Sequence, residues 1–200
     1  EDLFTRKETG GGQSEFVITY AGSIADFYHP EAFIDALKNA LQQNPGIPVK
    51  LRFVGVLSEG IKNYIFKSGL GHILEEIGYV PHKESIRYLL KSTVLLLVNP
   101  VTKDEEMVIP GKVYEYLAAQ KPIINITRST AESAMLIERC GAGQTFERNM
   151  QPQIEQHLSS LFTRWMQEKN LDIKNNDPLI RVYSRGAITG ELIAVLEKDG

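Results

Sequence analysis

From Phe16 onward, short apolar runs alternate with stretches of helical period. The runs are FVITYAG (16–22), VKLRFVGV (49–56), HILEEIGYV (72–80), TVLLLVNP (93–100), KPIINIT (121–127) and GAGQTF (141–146). Most are rich in Val, Ile and Leu with little alternation. Strands buried on both faces read this way, whereas a strand with one wet face alternates. Between the runs, Phe33, Leu37, Ala40 and Leu41 recur at helical spacing before the second, and Ile86, Leu89 and Leu90 before the fourth. This order predicts a doubly wound α/β domain built on a mostly parallel sheet. After Met150 the pattern is helical only. Ile154, Leu158, Leu161, Phe162 and Trp165 mark one helix, and a second is expected from about Asp177 to Leu196. The first 15 residues hold charges and three consecutive glycines with almost no apolar pattern, which predicts a linker or chain edge. The expected organisation is therefore a linker at 1–15 and one domain at 16–200, with a helical segment from about 150.

In an open α/β sheet, ligands sit at the carboxyl ends of the strands, where loops and helix N-termini converge. Five loops meet that condition: 22–30, 55–60, 78–85, 99–112 and 127–133. The fourth is the longest and runs into IPGKVYEYLAAQKPII (109–124). Pro110 fixes φ at a helix start, and Gly111 leaves the first amides approachable, so an anion would be held well there. Lys112 and Glu115 are three apart on one face of that helix. Lys112 suits a phosphate and Glu115 suits vicinal hydroxyls such as those of a ribose. The plainer alternative is an exposed ion pair between the two, worth little energetically.

Composition narrows the partners. The chain is 42% hydrophobic and 24% charged with a formal charge of -3, which gives no general attraction to nucleic acid or anionic lipid. No apolar run approaches the ~20 residues needed to span a bilayer, and the N-terminus is polar where a signal peptide is apolar. The expected compartment is the cytoplasm. Cys140 is the only cysteine, which excludes an internal disulfide and a thiolate metal cluster; it reads as a small core or capping residue. The four histidines show no metal-ligand spacing and no metal is expected. No nucleophile elbow appears, and the glycines at 141 and 143 read as a helix C-cap rather than a dinucleotide fingerprint.

Taken together, PGKVYEYLAAQKPII (110–124), GYVPHKESIRYLLKSTVLLLVNP (78–100) and TYAGSIADFYHPEAFIDALKNA (19–40) resemble, in order, the carboxy-terminal donor-binding domain of retaining bacterial glycosyltransferases of the family 4, or group 1, type. The resemblance spans most of residues 16–199. It implies a Rossmann-like half of a GT-B fold and a nucleoside diphosphate sugar, UDP- or GDP-linked, as donor substrate, with no further cofactor required. It implies that Glu115 binds the ribose and that the backbone at Gly111 and Lys112 faces the diphosphate. Gly22 and Ser23 would line the loop approaching the diphosphate, and Tyr79 and Val80 would meet the base through main-chain groups. The acceptor would be held by an amino-terminal domain absent from this stretch, leaving these residues inactive alone. Any contact with the inner face of the membrane would be made through that domain. Bacterial surface polysaccharide assembly is the usual setting of the family.

The sequence departs from the family pattern in two places. The family commonly carries Arg or Lys just after the first-strand glycine and another basic residue soon after. This chain reads Gly22-Ser23-Ile24-Ala25-Asp26-Phe27-Tyr28-His29, with no Arg or Lys. His29 is a weaker candidate cation, with capping of the next helix as its plainer role. A family glutamate eight positions before Glu115 is replaced by Met107, with Glu105 and Glu106 as neighbouring weaker candidates. No catalytic residue is assigned. Two other readings follow: a non-catalytic nucleotide-sugar-binding or interaction domain on the same fold, and a GT-B sugar-nucleotide epimerase.

Overall fold

A computed structural model describes residues 14–103, 106, 107 and 109–173. Six strands, β1 (Phe16–Ala21), β2 (Val49–Val54), β3 (Leu74–Gly78), β4 (Val94–Val98), β5 (Ile123–Ile126) and β6 (Gly143–Phe146), form one sheet in the order β3-β2-β1-β4-β5-β6. Every neighbouring pair is parallel. Among the described residues the α-helices are α1 (Glu31–Gln43), α2 (Glu59–Lys67), α3 (His82–Leu90), α4 (Lys112–Ala119), α5 (Glu132–Arg139) and α6 (Gln151–Glu168). The expected doubly wound, Rossmann-like sheet is what the chain forms. The predicted helix from Asp177 to Leu196 lies outside the described residues.

Period-two placement along buried strands feeds two cores. Phe16, Ile18 and Tyr20 of β1 and Val94, Leu96 and Val98 of β4 face α1, α2 and α6. Ala21, Leu95 and Leu97 face α3, α4 and α5. The central strands therefore lack alternation, because both their faces are dry. β3 and much of β6 are partly exposed edges, and there the apolar signal thins. Residues 72 and 73, the expected start of the third strand, belong instead to a short 3-10 turn at Gly71–Ile73, and β3 begins at Leu74. Cys140 is buried at the end of α5, and Gly141 follows with φ 56°, the helix stop the sequence suggested. Gly143 is no cap: it opens β6, where a Cβ would lie 2.0 Å from the Ile123 carbonyl oxygen.

The strand order reverses between β1 and β4. One crossover leaves β1 to one face and the other leaves β4 to the opposite face, so their carboxyl ends open a crevice. The loops after Ala21 and after Val98 meet at that point.

Candidate functional site

Two glycines make the floor of the crevice. Gly22 (φ 110°) ends β1 and Gly55 (φ 130°) ends β2, and a Cβ on Gly55 would stand 2.4 Å from the Gly22 carbonyl oxygen. No larger residue lets these two strand ends approach so closely. Beside them lies a cleft of ≈ 250 Å³ lined by Gly22, Ser23, Gly55, Tyr79, Val80 and His82, among others. Tyr79 is 89% exposed on its wall. A larger hollow of ≈ 490 Å³, bordered by Lys38, Asn44 and His72, opens beside Val49 at the amino end of β2. It is the wrong end of a parallel sheet for a ligand, since helix N-termini point away from it.

Helix α4 leaves the other side of the crevice. Its N-cap is Gly111 in ordinary helical conformation, exposed, without a side-chain cap and with nothing within 4 Å of where a Cβ would stand. The first amides are thus open to a ligand. Lys112 does not pair with Glu115. Its Nζ crosses to β1, donates to Tyr20 Oη at 2.7 Å and lies 4.0 Å from the centroid of the Tyr20 ring. It stands 3.0 Å from the position a Gly22 Cβ would take. Tyr20 Oη in turn donates to the Ser23 carbonyl at 3.1 Å, so the lysine steadies the loop after β1. Burial pushes the Lys112 ammonium down to about 8, with Glu115 opposing the shift, and pushes the Tyr20 phenol well up, which keeps it a donor.

Glu115, one turn along α4, meets His82 at the start of α3, with Oε1 2.8 Å from Nε2. Tyr116 anchors the helix beneath. Its Oη accepts from the Ala21 amide at 2.8 Å and donates to the Leu96 carbonyl at 3.2 Å, tying α4 to β1 and β4. Burial raises this phenol strongly as well.

The loop after β1 contains one acid, Asp26, and its charge is turned away. Ser58, the N-cap of α2, donates to Asp26 Oδ1 at 2.6 Å, and a Cβ on Gly60 would stand 2.4 Å from that oxygen. The carboxylate rests on the first turn of α2, where the helix dipole favours it.

Of the residues expected from sequence, Gly22, Ser23, Tyr79 and Val80 converge on the cleft, and Gly111, Lys112 and Glu115 flank it on α4. The capping role expected of His29 does not hold: the N-cap of α1 is Pro30, with no side-chain cap bond, and His29 instead ends the preceding 3-10 turn at φ 49°. Its imidazole lies 3.6 Å from Glu31, exposed. Glu106 pairs with Arg128 at 2.9 Å, and its carbonyl accepts the Glu132 amide at the start of α5. That makes it a loop anchor. Glu105 lies outside the described residues. Tyr20, Gly55, His82 and Tyr116 were missed. A signal existed for Tyr20 alone, an inward-facing tyrosine on a buried strand, whose hydroxyl needs a partner.

No family model and no curated protein sequence matches the chain. Solved structures do. Over 94% of the chain, the S. aureus glycosyltransferase TarM, crystallised with UDP, superposes with a TM-score of 0.67 at 12% identity. The C-terminal domain of the group 1 family glycosyl transferase LpcC of Francisella tularensis superposes at 0.63 and 15% identity, covering 84% of this chain and 85% of that domain. The fold is that of one half of a GT-B glycosyltransferase. A Listeria monocytogenes protein described as a UDP-N-acetylglucosamine 2-epimerase shares this GT-B domain, with a TM-score of 0.61 at 11% identity over 93% of the chain. The chain spans 37% of TarM and 45% of the epimerase, so it matches less than half of each. Among the described residues, no helix of the GT-B domain is long and apolar enough to cross a membrane.

Proposed function

We propose that this chain is the donor-binding half of a retaining glycosyltransferase, taking a nucleoside diphosphate sugar and transferring its sugar to an acceptor held mainly by an amino-terminal domain. The observation that carries the reading is the path of Lys112. From the open N-terminus of α4 it reaches the end of β1 beneath Gly22, and so brings a cation to the loop that lacks Arg and Lys. Departure of a nucleoside diphosphate leaves negative charge on the β-phosphate as positive charge spreads over the sugar ring. Preorganised donors at that phosphate lower the barrier more than any contact made equally in the ground state. The amides at Gly111 and Lys112 and the Lys112 ammonium are donors of this kind. Glu115 accepts from the ribose hydroxyls, and the main chain at Tyr79 and Val80 meets the base. UDP is the first choice of nucleotide, since TarM was crystallised with it.

Calorimetric titration of the chain with UDP, GDP and ADP, repeated on Glu115→Ala, tests the reading. One nucleotide binds, and the variant weakens it about tenfold, a charged hydrogen bond's worth. Absence of binding by all three counts against a donor site within these residues. The epimerase neighbour supports a second reading, chemistry on the sugar of the nucleotide without transfer. Incubating UDP-N-acetylglucosamine with the longer protein separates the two: epimerised sugar nucleotide without acceptor supports the second reading.

A further inference from the structure

His82 has no part in the reading above, yet its Nε2 is 2.8 Å from Glu115 Oε1 and its side chain lines the cleft. The two residues belong to different helices, α3 and α4, whose first turns lie side by side at the carboxyl edge of the sheet. A carboxylate only accepts hydrogen bonds, so Nε2 carries the proton and Nδ1 is left as an acceptor if the ring is neutral. The Glu115 side chain is 25% exposed and the His82 side chain 54%. The bond therefore occupies one oxygen of a partly sheltered carboxylate and leaves Oε2 to a ligand. Glutamate has three side-chain torsions to fix before it can accept from two hydroxyls at once. A partner on a neighbouring helix fixes them in advance, and binding then loses less conformational freedom.

Resting on the donor-site reading, we infer that His82 is a positioning residue: it holds the Glu115 carboxylate for a vicinal diol and so sets preference for ribose over 2′-deoxyribose nucleotides. It acts through Glu115 and touches no reacting atom.

The test titrates UDP, GDP and their 2′-deoxy counterparts into the wild-type chain, His82→Leu and His82→Gln. Circular dichroism and melting curves check that each variant is folded. For the ribonucleotide that binds wild type, His82→Leu weakens binding about five- to tenfold, below the roughly 10- to 150-fold of a directly lost charged hydrogen bond, because the histidine acts through Glu115. The 2′-deoxy nucleotide, already weaker, changes less than twofold. His82→Gln, whose amide N–H reaches the same carboxylate, restores most of the ribonucleotide affinity. Equal loss for ribo and deoxy forms overturns the inference, as does wild-type affinity in His82→Leu, since either makes the bond a surface pair without bearing on the sugar. A wild-type chain that binds none of the nucleotides overturns the donor reading itself, and this inference with it.

Discussion

Lys112 stands under two opposed demands. Its ammonium is buried, which lowers its pKa from 10.5 to about 8, and its charge is what a diphosphate requires. Near pH 7 the amine is protonated in folded and unfolded chains alike, and the buried charge costs on the order of 3 kcal/mol. Between about 8 and 10.5 the unfolded chain keeps the proton while the folded chain has lost it. The unfolded state then binds more protons, so this group makes the ligand-free protein more stable as pH rises through that window. Binding runs the other way. A diphosphate beside the amine favours its charged form, so UDP affinity declines above pH 8, by up to about tenfold per pH unit, with proton uptake on binding. Calorimetry from pH 6.5 to 9.5 in buffers of differing ionisation enthalpy reads both effects. Lys112→Met keeps the stem over the Tyr20 ring and removes the charge: the melting temperature at pH 7 rises, affinity falls and the slope above pH 8 disappears. A wild-type profile that stays flat to pH 9.5 removes Lys112 from the diphosphate site.

At the scale of elements, α4 is placed by Tyr116 rather than by its capping sequence. Its hydroxyl spans an amide of β1 and a carbonyl of β4, both buried. Tyr116→Phe leaves both without that partner, which costs about 1–3 kcal/mol and loosens Lys112 and Glu115 together. Chemical denaturation gives the first figure. UDP titration checks the second, since a variant that is destabilised yet binds normally shows that α4 is held by other contacts. This pin joins residues 95 apart in sequence, which explains why it was illegible beforehand. Strand and helix order could be read, because residues such as Leu95 and Leu96 face two dry cores and leave a run without alternation. The start of β3 could not, because an edge strand buries too little to write a pattern. The PGK start of α4 was legible from local backbone chemistry. That Lys112 turns to Tyr20 and Glu115 to His82 was not, since a shared helix face says nothing about what the neighbouring strand and helix offer.

Over the described residues as a whole, the carboxyl edge carries the candidate site and the face of the sheet covered by α1, α2 and α6 holds the larger core. Helix α6 follows the last strand yet packs on α1, and its Leu158, Phe162 and Trp165 close the core over β1. Phe16 meets Phe162 and Trp165 edge to face, at 4.8 and 5.7 Å between ring centroids. The first strand is therefore completed by the last described helix, and the glycine floor at the end of β1 depends on residues about 140 positions later. If α6 is part of one cooperative unit, Trp165→Ala lowers global stability by about 3–5 kcal/mol in a single transition. Trp165→Phe is far milder, because it keeps most of the volume and removes an indole N–H that has no partner among the described residues. Urea unfolding followed by both far-ultraviolet circular dichroism and tryptophan-independent tyrosine fluorescence separates the cases. Coincident transitions, shifted together by Trp165→Ala, make α6 integral to the GT-B domain. A variant that loses helical signal early while the tyrosine signal persists would make α6 a separable appendage, and the crevice would then have to be explained without it.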